Sequence, residues 1–270
     1  MKAVFKAMIL FLFISFFISC DKKDSESNSD LAHYSYLDEP SFNKEGLIGY
    51  YPFNGDIKDY SGHANHVSAS NPTFAVDRYK HSAGAVHFNG IDDFLLIPNI
   101  GKSLNHNEGT IIVWFKNDTS FVTPNKLQPV VYSMVDSVNT CFLLSSNISY
   151  LSYSIGIYPT LGGSTFLSGI NNDGFNLFVL SFTDNSITIY NYEYGGYSKV
   201  TRSNPKYSFG FNGNREVQDL YLGKSIIDTF NSDSFDNLFT YFKGDIDDLL
   251  IYNRILKDDE IEYFFNLAKH

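Results

Sequence analysis

An all-β domain closed by a short C-terminal helix is the fold class that the sequence predicts, and three observations predict it. From Gly46 onward, short runs rich in Phe, Tyr, Ile, Val and Thr are separated by Asn, Asp, Gly and Ser, the composition of strands joined by turns. Several of these runs read as half-buried strands, and helical spacing is confined to Leu256–Phe265.

The clearest strands are Thr110–Phe115, Leu177–Phe182 and Ser186–Tyr190. The last two flank Thr183-Asp184-Asn185, a turn-forming bridge short enough to make them an antiparallel hairpin. In the C-terminal segment the acids Asp258, Asp259 and Glu260 fall in the first turn, where the helix dipole favours them, and Leu256, Ile261 and Phe265 are expected to face the sandwich. A short echo links Phe88-Asn89-Gly90-Ile91-Asp92-Asp93-Phe94-Leu95-Leu96-Ile97 to Phe242-Lys243-Gly244-Asp245-Ile246-Asp247-Asp248-Leu249-Leu250-Ile251 with one residue inserted. Each copy is expected to end a strand on an aromatic, turn at Gly, and offer Asp carboxylates to turn amides before the next strand.

The N-terminus has a different character. Met1–Lys6 is short and basic, Ala7–Ile18 is apolar but too short to span a bilayer, and Ser19-Cys20 follows, so residues 1–19 read as an export signal. Phe17-Ile18-Ser19-Cys20 resembles a lipobox, with Phe17 in place of the usual Leu, which implies lipidation at Cys20. Residues 20–44 are then expected to be the lipidated cysteine and a polar tether, since Asp21–Asp30 offers nothing apolar to bury. Residues 45–270 form the folded domain. A charged start after an acylated cysteine resembles the surface-export signals of Bacteroidetes lipoproteins, implying an outer-membrane, surface-exposed location.

With only two cysteines in the chain and Cys20 acylated, Cys141 has no partner, and its apolar run marks it as a buried thiol. Removing residues 1–19 leaves 18 basic against 30 acidic side chains, a net charge of -12. Such a balance argues against nucleic acid and anionic membrane surfaces as partners and is compatible with neutral glycans and with cations.

Gly46-Leu47-Ile48-Gly49-Tyr50-Tyr51-Pro52-Phe53-Asn54-Gly55, Asp59-Tyr60-Ser61-Gly62-His63-Ala64-Asn65-His66 and Phe88-Asn89-Gly90-Ile91-Asp92-Asp93, with the closing Gly244–Leu256 segment and its acidic helix, resemble the laminin-G-like, concanavalin A-like lectin and glucanase domains. Trp114 and Tyr221-Leu222-Gly223 fit the pattern between them, whereas Phe175-Asn176 stands where that family often has Trp-His. The resemblance covers residues 46 to 268 and implies a jelly-roll sandwich of two antiparallel sheets, with the first and last strands close together. It also implies one structural calcium: carboxylates of Asp59 and Asp247, with Asn65 as a third ligand, would supply the hard oxygens that calcium prefers. The alternative is that these acids fasten turn amides. Strand alternation places Asp247 on the face of Leu249 and Ile251, where a carboxylate needs a partner.

Catalytic motifs are lacking. His63 and His66 have no cysteine or His-Glu-x-x-His helix to complete a zinc site. Gly162-Gly163-Ser164 lacks the second glycine of a nucleophile elbow, and Leu161-Gly162-Gly163 lacks the lysine of a phosphate loop. The densest acids, Asp258–Glu262, lie on the helix and not on a concave strand. Tyr190, Tyr192 and Tyr194 share one face by period-two alternation and are the candidate ligand platform, although tyrosine also suits half-exposed strand positions for packing alone. The expected function is a non-catalytic, lipid-anchored recognition module for carbohydrate or another extracellular ligand. The alternatives are a polysaccharide-active enzyme with acids converging from distant strands, or a structural or adhesion protein making protein contacts.

Overall fold

The computed structural model describes residues 35–69, 73–104, 108–120, 126–134, 140–147, 152–159, 165–168, 174–183, 186–193, 196–203, 219–225 and 240–267. The expected export signal, Cys20 and most of the expected tether lie outside them. Among the described residues, the apolar runs form fifteen strands in two antiparallel sheets and one helix.

The first sheet contains β1 (Leu47–Tyr51), β3 (Thr73–Ala75), β4 (Ala85–Asn89), β6 (Glu108–Asn117), β11 (Asn176–Thr183), β12 (Ser186–Glu193), β13 (Gly196–Ser203) and β15 (Lys243–Tyr252). Its order is β13-β12-β11-β6-β15-β4-β3, with β1 also paired to β15. The second sheet contains β2 (Ser68–Ala69), β5 (Leu95–Ile97), β7 (Gln128–Met134), β8 (Thr140–Asn147), β9 (Ser152–Pro159), β10 (Thr165–Ser168) and β14 (Leu220–Leu222), in the order β10-β9-β8-β7-β14-β5-β2. The expected hairpin is β11–β12, in register Phe182↔Ile187, with Ser186 N donating to Thr183 Oγ1 at 3.0 Å. The first and last strands, β1 and β15, do pair, with Tyr51 opposite Leu249.

Apolar packing occurs on both sides of the first sheet. Val113, Phe115, Phe178, Leu180, Leu249 and Ile251 belong to one buried cluster together with Ile97, Val131 and Leu222 of the second sheet. Ile112, Trp114, Leu177, Val179, Leu250 and Tyr252 belong to another, with Ile261, Phe264 and Phe265 of α1 (Asp258–Leu267). The strands β6, β11 and β15 are therefore covered on both faces, which corrects the half-buried reading; their continuous apolar runs suit two-sided burial. Leu256, Ile261 and Phe265 face the sheet as expected.

The domain also starts earlier than residue 45. A 3-10 turn at Tyr36–Asp38, capped by Ser35 Oγ, brings Tyr36 to full burial, and Phe42 is 7 % exposed. Both pack edge-on against Phe264 and tilted against Tyr50, at ring separations of 5.4 to 6.4 Å. Arg254 locks this layer by donating to Glu260 Oε1 and Oε2 at 2.7 and 2.8 Å and to the Glu45 carbonyl at 2.7 Å. The polar composition of the tether stops short of these two aromatics, which is why the boundary lies upstream of its expected place.

The echo is not one device used twice. In the first copy the turn is as expected: Gly90 has φ 77°, Asn89 Oδ1 accepts from the amides of Ile91 and Asp92, and Asp93 accepts from the Asn89 amide at 2.9 Å. In the second copy the same residue types run inside β15, where a Cβ on Gly244 would collide with the Lys116 carbonyl. The two copies meet through Phe88 and Phe242, whose rings are 5.7 Å apart.

Truncating Phe42 tests whether this N-terminal layer belongs to the fold. Phe42→Ala should lower unfolding stability by about 3–5 kcal/mol in urea melts, the cost of emptying a buried aromatic site, whereas a tether residue would show almost no change.

Candidate functional site

The last strand has a fault in its pairing. Along one edge β15 pairs with β4 over Lys243–Ile246 and with β1 over Leu249–Tyr252, and against β6 the register slips between Ile246 and Leu249. Asp247 and Asp248 occupy this bulge, where one strand partner ends and the next begins. A bulge adds a residue and reverses the facing that simple alternation predicts. Asp247 accordingly does not join Leu249 and Ile251 in the inter-sheet core; it meets Arg78, beside the aromatic cluster under α1.

Arg78 comes from the loop between β3 and β4. That loop is tied by Asp77: its amide donates to the His81 carbonyl at 3.1 Å, and its carboxylate accepts from His81 N at 2.8 Å and contacts His81 Nδ1 at 2.9 Å. Lys80 and Ala83 take left-handed backbone conformations, φ 70° and 58°. The tight turn directs Arg78 inward, where its side chain is 7 % exposed. Nη1 lies 2.5 Å from Asp247 Oδ2 and 2.6 Å from Asp248 Oδ2, and the Arg78 amide also donates to Asp247. Nη2 donates to the Tyr36 hydroxyl at 3.0 Å, which also accepts from Trp114 Nε1 at 3.1 Å. The guanidinium lies 4.4 Å from the Tyr79 ring and 4.6 Å from the Trp114 ring, within cation–π range.

One cation facing two buried carboxylates cannot neutralise both. Burial pushes Asp248 up to about 6 and Asp247 well above the usual carboxylate range, each opposed by the Arg78 charge, with Asp248 adding to the rise at Asp247 and Asp77 to that at Asp248. Burial likewise pushes the Tyr36 phenol well up, keeping it a neutral hydroxyl.

Above this cluster an open pocket of about 370 Å³ is formed on the outer side of the first sheet. Half-buried Tyr79, Phe175 and Leu267 supply apolar walls, with exposed Val76 beside them. Arg78, Lys80, Lys116 and Asp77 supply charge, and buried Trp114 contributes to the lining. Lys116 follows Trp114 by two positions on β6, so it shares the outer face, and Phe175 enters β11 one step before Asn176 pairs with Phe115. The sequence reading did not find this pocket. Its signal was the Asp77-Arg78-Tyr79-Lys80 turn, basic and aromatic in an acidic chain, and Phe175, noted only as a departure from a family pattern.

The residues proposed for calcium are placed differently. Asp59, 8 % exposed, fastens its own loop: it accepts from Tyr50 N, Ser61 N, Ser61 Oγ and Asn65 N at 2.8 to 3.0 Å. Asn65 Nδ2 donates to the Ile48 carbonyl and its own carbonyl accepts from the Tyr51 hydroxyl. Asp247 is held by Arg78. The Asp59 carboxylate is thus engaged by N–H and O–H donors of its own loop, and a guanidinium stands at Asp247.

The tyrosine platform also differs from its expectation. Tyr190 is 3 % exposed, its hydroxyl donates to Asp258 of α1 at 3.2 Å, and Lys199 lies 5.1 Å over its ring. Its ring is packed under the helix and closed to a ligand. Tyr192 sits in β12 opposite Tyr197, and its side chain, like the whole of Tyr194, lies outside the described residues. The Cys141 side chain is outside them as well; its backbone is in β8.

No family model matches the chain, and no curated protein does. Solved structures share its fold. Domain 4 of a GH43 extracellular arabinanase from Geobacillus stearothermophilus, in complex with arabinotriose, is 16% identical with a TM-score of 0.52, over 81% of this chain and 98% of that one. A Trypanosoma rangeli sialidase in complex with sialic acid is 13% identical with a TM-score of 0.56, over 80% of this chain and 32% of that one. The binding domain of botulinum neurotoxin DC in complex with SialylT is 13% identical with a TM-score of 0.58, over 83% of this chain and 52% of that one. The chain thus has the β-sandwich fold found in domains of carbohydrate-active and carbohydrate-binding proteins.

The pH dependence of the acid pair is a direct check on its burial. Because the folded value of Asp248 is raised from 3.8 to about 6, the folded state holds more protons across that interval, and stability falls as pH rises through it. The wild type should lose stability relative to Asp248→Asn between about pH 4 and pH 6 in urea melts, and parallel curves would contradict the assignment.

Proposed function

We propose that the protein is a lipid-anchored, surface-exposed recognition module of the outer membrane that binds carbohydrate in the Tyr79–Phe175 pocket without cleaving it. The observation that carries this reading is the pocket itself: partly open aromatic rings beside charged donors, on a rigid sheet covered elsewhere by its own helix. Sugar rings offer apolar C–H faces to stack on aromatics and hydroxyls to accept from cationic donors, and pockets of this mixed lining and about 300–1,000 Å³ suit small ligands.

Cleavage is the less favoured reading. Asp247 and Asp248 are the buried acid pair nearest to the pocket lining, but both contact Arg78 and are only 4% exposed at their side chains. A glycosidase needs its two carboxyl groups on either side of the scissile bond, with access to sugar and water. These two carboxylates flank a guanidinium instead. The outer-membrane location rests on the export signal and the lipobox-like Cys20.

A glycan array probed with the full chain tests the reading. Binding should appear to at least one glycan class, with no product release, and Tyr79→Ala should weaken it about tenfold, roughly one stacked ring, while circular dichroism stays unchanged. Silence across the array would refute carbohydrate recognition.

A further inference from the structure

We infer that the ligand of this pocket is a sugar carrying a carboxylate, with Lys80 and Lys116 facing its charge while Tyr79 and Phe175 stack on its ring. The inference rests on the carbohydrate reading above and narrows it to a chemical class.

Charge selection inside the pocket runs against the rest of the chain. Acidic side chains outnumber basic ones by 30 to 20 over the whole sequence, yet the pocket lining holds Arg78, Lys80 and Lys116 against the one acid Asp77. Both oxygens of that acid are engaged by His81, at the backbone amide and at Nδ1. Arg78 spends Nη1 on the two buried carboxylates and Nη2 on Tyr36 and Tyr79. Its Nε is buried with no hydrogen-bond acceptor among the described residues, an orphan donor on a residue that lines the pocket.

Lys58, Lys199, Lys243 and Arg254 each stand within 3.2 Å of a carboxylate, whereas Lys80 and Lys116 take part in no ion pair among the described residues. Lys116 is half-buried on the outer face of β6, beside Trp114. Its cross-strand neighbour Asp245 turns Oδ1 to His87 Nδ1 at 2.8 Å and makes no ion pair with it, so an incoming anion would supply the contact that this partly desolvated ammonium lacks. Lys80 is held at the opposite rim by the tight Asp77–His81 turn in a left-handed backbone conformation, a strain that places an exposed cation at the mouth of the pocket. A neutral sugar would use the rings and leave both charges unanswered.

The test uses the full chain and paired probes. Oligogalacturonate is compared with its methyl ester, and sialyllactose with lactose, by isothermal titration. At least one acidic probe should bind, its neutral counterpart should bind at least about tenfold more weakly, and the affinity should fall as salt is raised from about 50 to about 300 mM. Lys80→Gln with Lys116→Gln should weaken acid binding about tenfold, and Lys116→Arg should restore it without altering the melting temperature. Which acid binds separates a uronate polymer from a sialylated glycan. Equal binding of acidic and neutral partners overturns this inference and leaves the carbohydrate reading standing. No binding of either kind, on these probes and on the array, overturns both.

Discussion

A single guanidinium placed where a strand changes partners is the constraint on which the rest of the structure depends. β15 pairs with three strands of the first sheet, β6, β4 and β1, and its edge passes from β4 to β1 across the Asp247–Asp248 bulge. Two carboxylates in that gap, away from water, would repel each other and leave acceptors unsatisfied. Arg78 resolves most of this by donating to both, and it is joined there by the Tyr36 and Tyr50 hydroxyls. The cluster therefore binds four parts of the chain that are distant in sequence: the N-terminal layer, the β3–β4 loop, β6 through Trp114, and the last strand. Removing one member of such a buried group strands the others, which costs more than the net worth of the intact group.

The same constraint shapes the pocket. Because the Arg78 guanidinium is pulled down onto the bulge and covered by Tyr79 and Trp114, its flanking residues Tyr79 and Lys80 are left at the rim, facing Phe175 and Lys116 across the sheet. The outer face that would otherwise be solvated is closed by α1 and the Tyr36–Phe42 segment, and the pocket opens where that cover ends, at Leu267. Fold and candidate site thus share a cause. A floor of paired charges supports a rim of rings and cations.

Much of the fold was legible in the sequence because it depends on local pattern. The β11–β12 hairpin, the acidic helix with Leu256, Ile261 and Phe265 inward, and the pairing of first and last strands all follow from spacing, turn residues or the resemblance of the two ends to a jelly-roll family. What was not legible depends on partners far apart in the chain. The continuous apolar run of β6 gives no sign of whether its second face meets water or a helix, and the bulge that reverses Asp247 is invisible to alternation. Asp59 fastens amides of its own loop, the alternative that the sequence already offered, whereas the partner of Asp247, Arg78, comes from 169 residues away. Tyr190 follows the expected alternation, yet the face it shares is the one that α1 covers.

The central claim is that Arg78, Asp247 and Asp248 act as one energetic unit, and a mutant cycle tests it most directly. Stability at neutral pH would be measured by urea unfolding for Arg78→Met, for the double variant Asp247→Asn with Asp248→Asn, and for all three changes together. Arg78→Met alone should cost about 3–5 kcal/mol, and the triple variant should be less damaged than the sum of its parts by about 1–3 kcal/mol, because removing the charges removes the penalty of leaving them unpaired. Effects that add to within about 0.5 kcal/mol would show the three residues to be independent, and the account of the bulge as the keystone of the sheet would be wrong.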